Sequence, residues 1–183
     1  EDCMEEILEL LYTIQKNKKI HDNDPESALN IKINAIVAAN AEHYYQTMVT
    51  NDNESWNIRD RHMVETLEQI SDFYRSESKG IIWEHNTHIG DARATDMAKE
   101  GMVNVGQLMR EKFEKVYSIG FGTYQGTVTA AKNWGDPIEI MHVPKGIEGS
   151  WEESFHQANP SNQYLMFTKE NKDYFNDRSE EHT

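Results

Sequence analysis

His85 and His88 stand three positions apart in the run Trp83-Glu84-His85-Asn86-Thr87-His88-Ile89-Gly90-Asp91-Ala92-Arg93, directly behind the apolar stretch Gly80-Ile81-Ile82-Trp83. Imidazole titrates near neutral pH, so a histidine held there can take a proton from water or return one to a leaving group. Asp91 can orient a histidine tautomer, and Arg93 can bind or stabilise an anion. Spacing alone leaves three readings open. The histidines can close a strand end through backbone hydrogen bonds. They can ligate a metal, with Glu84 or Asp91 as a further ligand. Or they can act as acid and base. The metal reading lacks the helix-borne His-Glu-x-x-His pattern, and no bound metal is expected.

A second group is Ser55-Trp56-Asn57-Ile58-Arg59-Asp60-Arg61-His62-Met63. In one reading Ser55 caps a helix, Trp56 anchors the core, and Arg59 and Asp60 are surface charge. In the other, Arg59 and Asp60 project from the start of that helix into the pocket of the histidines. A third group is Ile119-Gly120-Phe121-Gly122-Thr123-Tyr124-Gln125-Gly126-Thr127. It is not a dinucleotide fingerprint, because the third glycine comes one position late and no suitably placed acidic residue follows. The glycines suit a tight strand exit, with Tyr124 or Thr123 facing a pocket.

Elements must place these groups. Met4, Ile7, Leu8, Leu11 and Ile14 recur at helix spacing over residues 1–18, with acidic residues in the first turn. Asp24 can cap, and Pro25 suits a first helical position. From Glu26 to about Thr50, Leu29, Ile33, Ile36, Val37, Asn40, Tyr44 and Met48 form one stripe. A third helix is expected from about Ser55 to Arg75. Beyond residue 78 the pattern changes to short apolar runs at 80–84, 116–121, 138–143 and 164–168, with helices at 104–115 and 150–158. Ser150 with Glu153 three later reads as a capping box. Strand, helix and strand with short joints predict parallel pairing in an open sheet. The expected fold is therefore a single α/β domain over 1–183, with a helical segment at 1–78 and a mainly parallel open sheet with flanking helices at 79–183. Ligands in such sheets bind beyond the carboxyl ends of the strands, which is where residues 85–93 would lie.

Composition narrows the function classes. Eighteen basic residues face 32 acidic ones, for a net charge of -14. That field repels phosphate backbones and anionic lipid, so neither nucleic acid nor membrane is an expected partner. Hydrophobic residues make up 37% and mean hydropathy is -0.80, yet 10% aromatics and periodic apolar positions suffice for a core. No apolar run approaches the roughly 20 residues of a spanning helix, and no secretory signal opens the chain, so a cytoplasmic location is expected. Cys3 is the only cysteine, which excludes an internal disulfide.

Six stretches in order resemble the erythromycin esterase family, whose bacterial homologues include succinoglycan-biosynthesis-like proteins. They are Asn40-Ala41-Glu42-His43-Tyr44-Tyr45, residues 55–63, residues 83–93, Asn104-Val105-Gly106-Gln107-Leu108, residues 120–131 and residues 149–155. The resemblance implies a hydrolase acting on a carboxylic ester or lactone, with antibiotic resistance as the namesake role and no cofactor. It implies that the two histidines of a His-Asn-x-His motif line the active-site cleft, which assigns catalysis to His85 and His88. It places Trp56, Asn57, Arg59, Asp60, Asn86, Asp91, Arg93 and Tyr124 at the substrate. The family's other essential part is an N-terminal stretch whose histidine is thought to activate the attacking water, and no such stretch is found here. The chain therefore reads as an interior or C-terminal fragment that partners the remaining N-terminal half and is inactive alone. The alternative is a non-catalytic domain of the same fold that holds a polar small molecule or a heme-like ligand.

Overall fold

The longest helix starts where an aspartate precedes a proline. The Asp24 carboxylate accepts the N–H groups of Glu26 at 3.1 Å and Ser27 at 3.3 Å, and Pro25 takes the first turn, where its missing donor costs nothing. The computed structural model describes residues 4–16, 24–75, 77–133, 135–159 and 161–171. Two compact units divide the chain, Glu1–Ile119 and Gly120–His182.

In the first unit, α1 (Met4–Lys16) lies against α2 (Pro25–Met48), and α2 against α3 (Asp52–Tyr74). Helix α3 begins earlier than expected. Asn51, not Ser55, is its cap: the Asn51 side chain accepts the Glu54 N–H at 3.1 Å, while the Ser55 hydroxyl donates to the Asp52 carbonyl. A single turn, α4 (Asn86–Ile89), two 3₁₀ turns (Ala92–Ala94 and Asp96–Glu100) and α5 (Val105–Lys112) follow. Gly101 takes the left-handed conformation that ends the second of these turns (φ 71°).

The core of this unit is small and unusually polar. Ile58, Val64, Ala92 and Val105 are buried, but so are Ser55, Asn57, Asp60 and Asn104. Buried polar groups of this kind persist when hydrogen-bonded, and Asn57 and Asn104 hold two loops in place. Asn57 donates to the Gly101 carbonyl at 3.0 Å and accepts the Val103 N–H at 2.8 Å. Asn104 accepts N–H groups from Ala92 at 3.2 Å and Gln107 at 3.0 Å, and donates to the Thr87 carbonyl at 2.9 Å. It thus caps α5 and ties that helix to the turn carrying His88. Gly106 permits the close approach, since a Cβ there would lie 2.0 Å from the Gly90 carbonyl oxygen.

The second unit contains β1 (Gly126–Ala130), β2 (Glu139–Val143) and α6 (Trp151–Ala158). The strands pair antiparallel, from Gly126 opposite Val143 to Ala130 opposite Glu139. Ser150 caps α6 as its spacing predicts, by accepting the Glu153 N–H at 3.2 Å. The Glu153 carboxylate reaches back to the Gly149 N–H, one residue ahead of the cap.

The expected mainly parallel open sheet is overturned. Among the described residues the chain is mostly helical, and the only sheet is this antiparallel pair. Of the expected strands, only 138–143 forms one, as β2. Residues 80–84, 116–121 and 164–168 are outside any strand, with Ile81 93%, Tyr117 94% and Tyr164 90% exposed. A short apolar run suits extended backbone, but a strand also needs a neighbour to take its N–H and C=O groups. Gly126 closes the glycine-rich run in the sequence and opens β1 in the structure. Among the described residues, no helix is long and apolar enough to cross a membrane.

Candidate active site

Trp56, Arg59 and Asp60 lie three and four positions apart on α3, so they share one face. The Trp56 indole is held by its own N–H, which donates to the Val103 carbonyl at 2.7 Å. Upon that ring the His88 imidazole stacks in parallel, with centroids 4.5 Å apart and planes 2° apart. The Arg59 guanidinium also lies over the indole, 4.6 Å from a ring centroid, within the range for cation–π attraction.

Asp60 is fully buried beneath this surface. Its Oδ2 accepts from His88 Nδ1–H and from the Val105 N–H, each at 3.0 Å. The second donor is an orphan N–H of the first turn of α5, a place that favours negative charge. On the other side of the imidazole, Arg59 Nη2 donates to His88 Nε2 at 3.3 Å. A guanidinium has no acceptor and an ionised carboxylate no donor. His88 between them is thereby assigned the neutral tautomer, with its hydrogen on Nδ1 and its lone pair on Nε2. Arg59 Nε and Asp60 Oδ1 are 3.8 Å apart, and both lack a hydrogen-bond partner.

Burial raises the Asp60 pKa, opposed by the hydrogen bond from His88, the Val105 N–H and the Arg59 charge. Glu84 lies in the same electrostatic neighbourhood. Its pKa is also raised, chiefly by burial and in smaller part by Asp60, against the lowering influence of His88 and Arg59. Its Oε2 is buried without a partner.

His85 is placed differently. It caps α4, with Nδ1 accepting the Thr87 N–H at 3.3 Å and lying 3.0 Å from the Thr87 hydroxyl. It is exposed, and its bonds to Thr87 shape the turn that carries His88. Asn86 opens that turn and its carbonyl accepts the Gly90 N–H. Asn57 is buried in its bonds to residues 101 and 103. Asp91 and Arg93 bind one another at 2.7 and 2.9 Å, with Arg110 and Glu111 as further partners. The Arg93 hydrogen bond is the largest influence lowering the Asp91 pKa. Tyr124 belongs to the second unit, where it stacks on His156 at 3.9 Å. The structure thus gathers Trp56, Arg59, Asp60 and His88, while the hydrogen bonds of Asn57, Asp91 and Arg93 lie elsewhere.

Sequence reasoning placed Asn104, Val105 and Gly106 in a stretch that carries the family resemblance but gave them no role in the site. Their signal is visible afterwards: an Asn-Val-Gly start to a helix offers a cap, a free N–H and a position without a side chain. Glu84 entered only as an alternative metal ligand. Among the described residues, no three His, Cys, Asp or Glu side chains are grouped to hold a metal ion.

The chain matches the erythromycin esterase family over residues 1–183, its whole length, which supports a hydrolase-type activity in general terms. No solved structure matches it. A match that takes in α3, the His85–His88 turn and every other position shows that the chain belongs to the erythromycin esterase family.

Proposed function

We propose that the chain supplies the His88 side of a site that hydrolyses a carboxylic ester or lactone by attack of water. The observation that carries this is the ordered series Asp60–His88–Arg59, with a buried carboxylate on Nδ1 and a guanidinium on Nε2. A carboxylate behind an imidazole holds its tautomer and stabilises the imidazolium formed when the ring takes a proton. In the resting arrangement Arg59 occupies the basic nitrogen. Its side chain is 40% exposed, so it is free to turn to an ester carbonyl. That movement releases Nε2 for proton transfer and puts a cation where the oxyanion develops.

In this reading His88 is the acid–base residue and Arg59 the oxyanion donor. Trp56 is the platform that orients both, Asp60 positions His88, and His85 shapes the turn. The group that activates the attacking water comes from an N-terminal half of the protein, which acts as the partner of this chain. The test is hydrolysis of p-nitrophenyl esters and of a macrolide lactone by the chain alone, by the chain mixed with that N-terminal half, and by the mixture carrying His88→Gln. Turnover is expected only in the mixture, with the variant lowered by about 10²-fold or more. An unimpaired variant would remove His88 from the chemistry. Turnover by the chain alone would place the base within it, and His62 would be the first residue to examine.

A further inference from the structure

A cavity of about 320 Å³ opens beside the cluster and shares Glu84 with it. Its apolar wall includes Met63, Leu67 and Ile82, and its polar groups are His62, Thr66 and Glu84. The volume is near the lower end for small-molecule sites and admits about ten water-sized groups.

The polar groups are unusual. Glu84 Oε2 and Thr66 Oγ1 are both buried and without a hydrogen-bond partner, a state found in few buried side-chain atoms. The terminal torsion of a glutamate is broad, so Oε2 can turn toward a donor at little cost. His62 has its Nδ1 lone pair taken by the Asn40 amide at 2.8 Å, which leaves an N–H at Nε2. Burial holds the His62 pKa low, against the Glu65 charge, so the ring stays neutral at pH 7. The polar side of the cavity therefore combines an acceptor, a donor and a hydroxyl that is either. One ligand oxygen that can both accept and donate matches that set. The net charge of -14 and the Glu84 carboxyl disfavour an anion there.

We propose that this cavity seats the alcohol half of the ester, an uncharged and mainly apolar ring or branched chain carrying one oxygen toward Glu84 and Thr66. The word ester rests on the hydrolase reading above; the binding does not. After hydrolysis the product hydroxyl donates to Glu84 Oε2 and accepts from Thr66 or His62.

The test is titration of the full chain, ¹³C-labelled at methionine and isoleucine methyls, with 4-methylcyclohexanol, 4-methylcyclohexanecarboxylate and 4-methylcyclohexylamine. Saturable shifts of the Met63 and Ile82 methyls are expected with the alcohol and not with the carboxylate. Thr66→Val and Glu84→Met, which remove the polar atoms at similar volume, are each expected to weaken the alcohol by about 3- to 10-fold. Leu67→Trp, which fills the cavity, is expected to abolish the shifts. Absence of saturation, tighter binding of the amine or carboxylate, or unchanged binding by both polar variants overturns the proposal. Binding without turnover of any ester, in the presence of the N-terminal half, overturns the hydrolase reading and leaves the cavity assignment standing. Turnover without binding does the reverse.

Discussion

Asp60→Asn separates the work of a buried carboxylate from its cost. Asparagine has nearly the same shape and retains one acceptor oxygen, but it carries no charge. If that oxygen stays on His88 and Val105, its NH₂ group points at Arg59, a donor facing a donor across the present 3.8 Å gap. If the amide flips, it offers N–H to His88 Nδ1. The imidazole must then move its hydrogen to Nε2, against the Arg59 donor at 3.3 Å. Either way the imidazolium loses its counter-charge, and kcat is expected to fall by about 10²-fold or more.

Stability is expected to move much less. One mismatched hydrogen bond costs about 1–3 kcal/mol. Against that stands the ionisation of Asp60, whose folded pKa lies above its ordinary value of 3.8 because of burial. The folded state therefore holds this proton more tightly than the unfolded chain. The associated stability is complete below about pH 4 and is lost as pH rises through the folded value. At pH 7 the ionised group costs stability, and asparagine removes that cost. Urea unfolding at pH 4, near the ordinary Asp value, and at pH 7 should show a smaller loss between the two pH values in Asp60→Asn than in the parent. Glu84 contributes a slope of the same sign, so some pH dependence remains. Asp60→Ala is the contrast: it leaves the His88 and Val105 N–H groups without an acceptor, at about 1–3 kcal/mol each. Wild-type kcat in Asp60→Asn, measured with the N-terminal half present, would refute the positioning role. A pH slope that steepens in the variant would refute the linkage.

The other predictions concern the groups around that carboxylate. His88→Gln keeps a donor for Asp60 and should lower kcat by about 10²-fold or more with little change in Tm, whereas His88→Ala should also lower Tm because Asp60 loses a partner. Arg59→Lys preserves charge but not the fork that reaches Nε2; a kcat loss of about 10²–10³-fold is expected, and an unchanged kcat would assign the oxyanion elsewhere. Gly106→Ala places a methyl group 2.0 Å from the Gly90 oxygen and should destabilise by about 1–3 kcal/mol or more, seen as a lower urea midpoint. Because α5 and the His88 turn are pushed apart, its kcat should fall as well.

Local chemistry was legible in the chain wherever a few neighbouring residues settle the outcome. Asp24-Pro25 starts a helix and Ser150 with Glu153 starts another, because capping joins a side chain to a backbone donor two or three residues away. The 55–63 and 83–93 stretches stood out through their order along the chain and not through any single spacing, and the structure brings Trp56, Arg59 and Asp60 of the one together with His88 of the other.

What spacing could not convey was partnership across long separations. Nothing local tells that Asp60 is wholly buried or that its partners are His88 and Val105, 28 and 45 residues further on. His85 and His88 are alike in the sequence, yet one caps a turn and the other meets a carboxylate. His85 is the extended cap ahead of the helical turn and His88 lies within that turn, so the two rings leave the backbone from different conformations. The sheet was misread for the same reason. The apolar runs at 80–84 and 116–121 describe one segment at a time, whereas a ladder exists only where a second backbone lies alongside. Of the expected strands only 139–143 found that neighbour, in 126–130. The backbone hydrogen bonds that make a sheet, like the one that holds Asp60 to α5, are decided by which distant segments pack together.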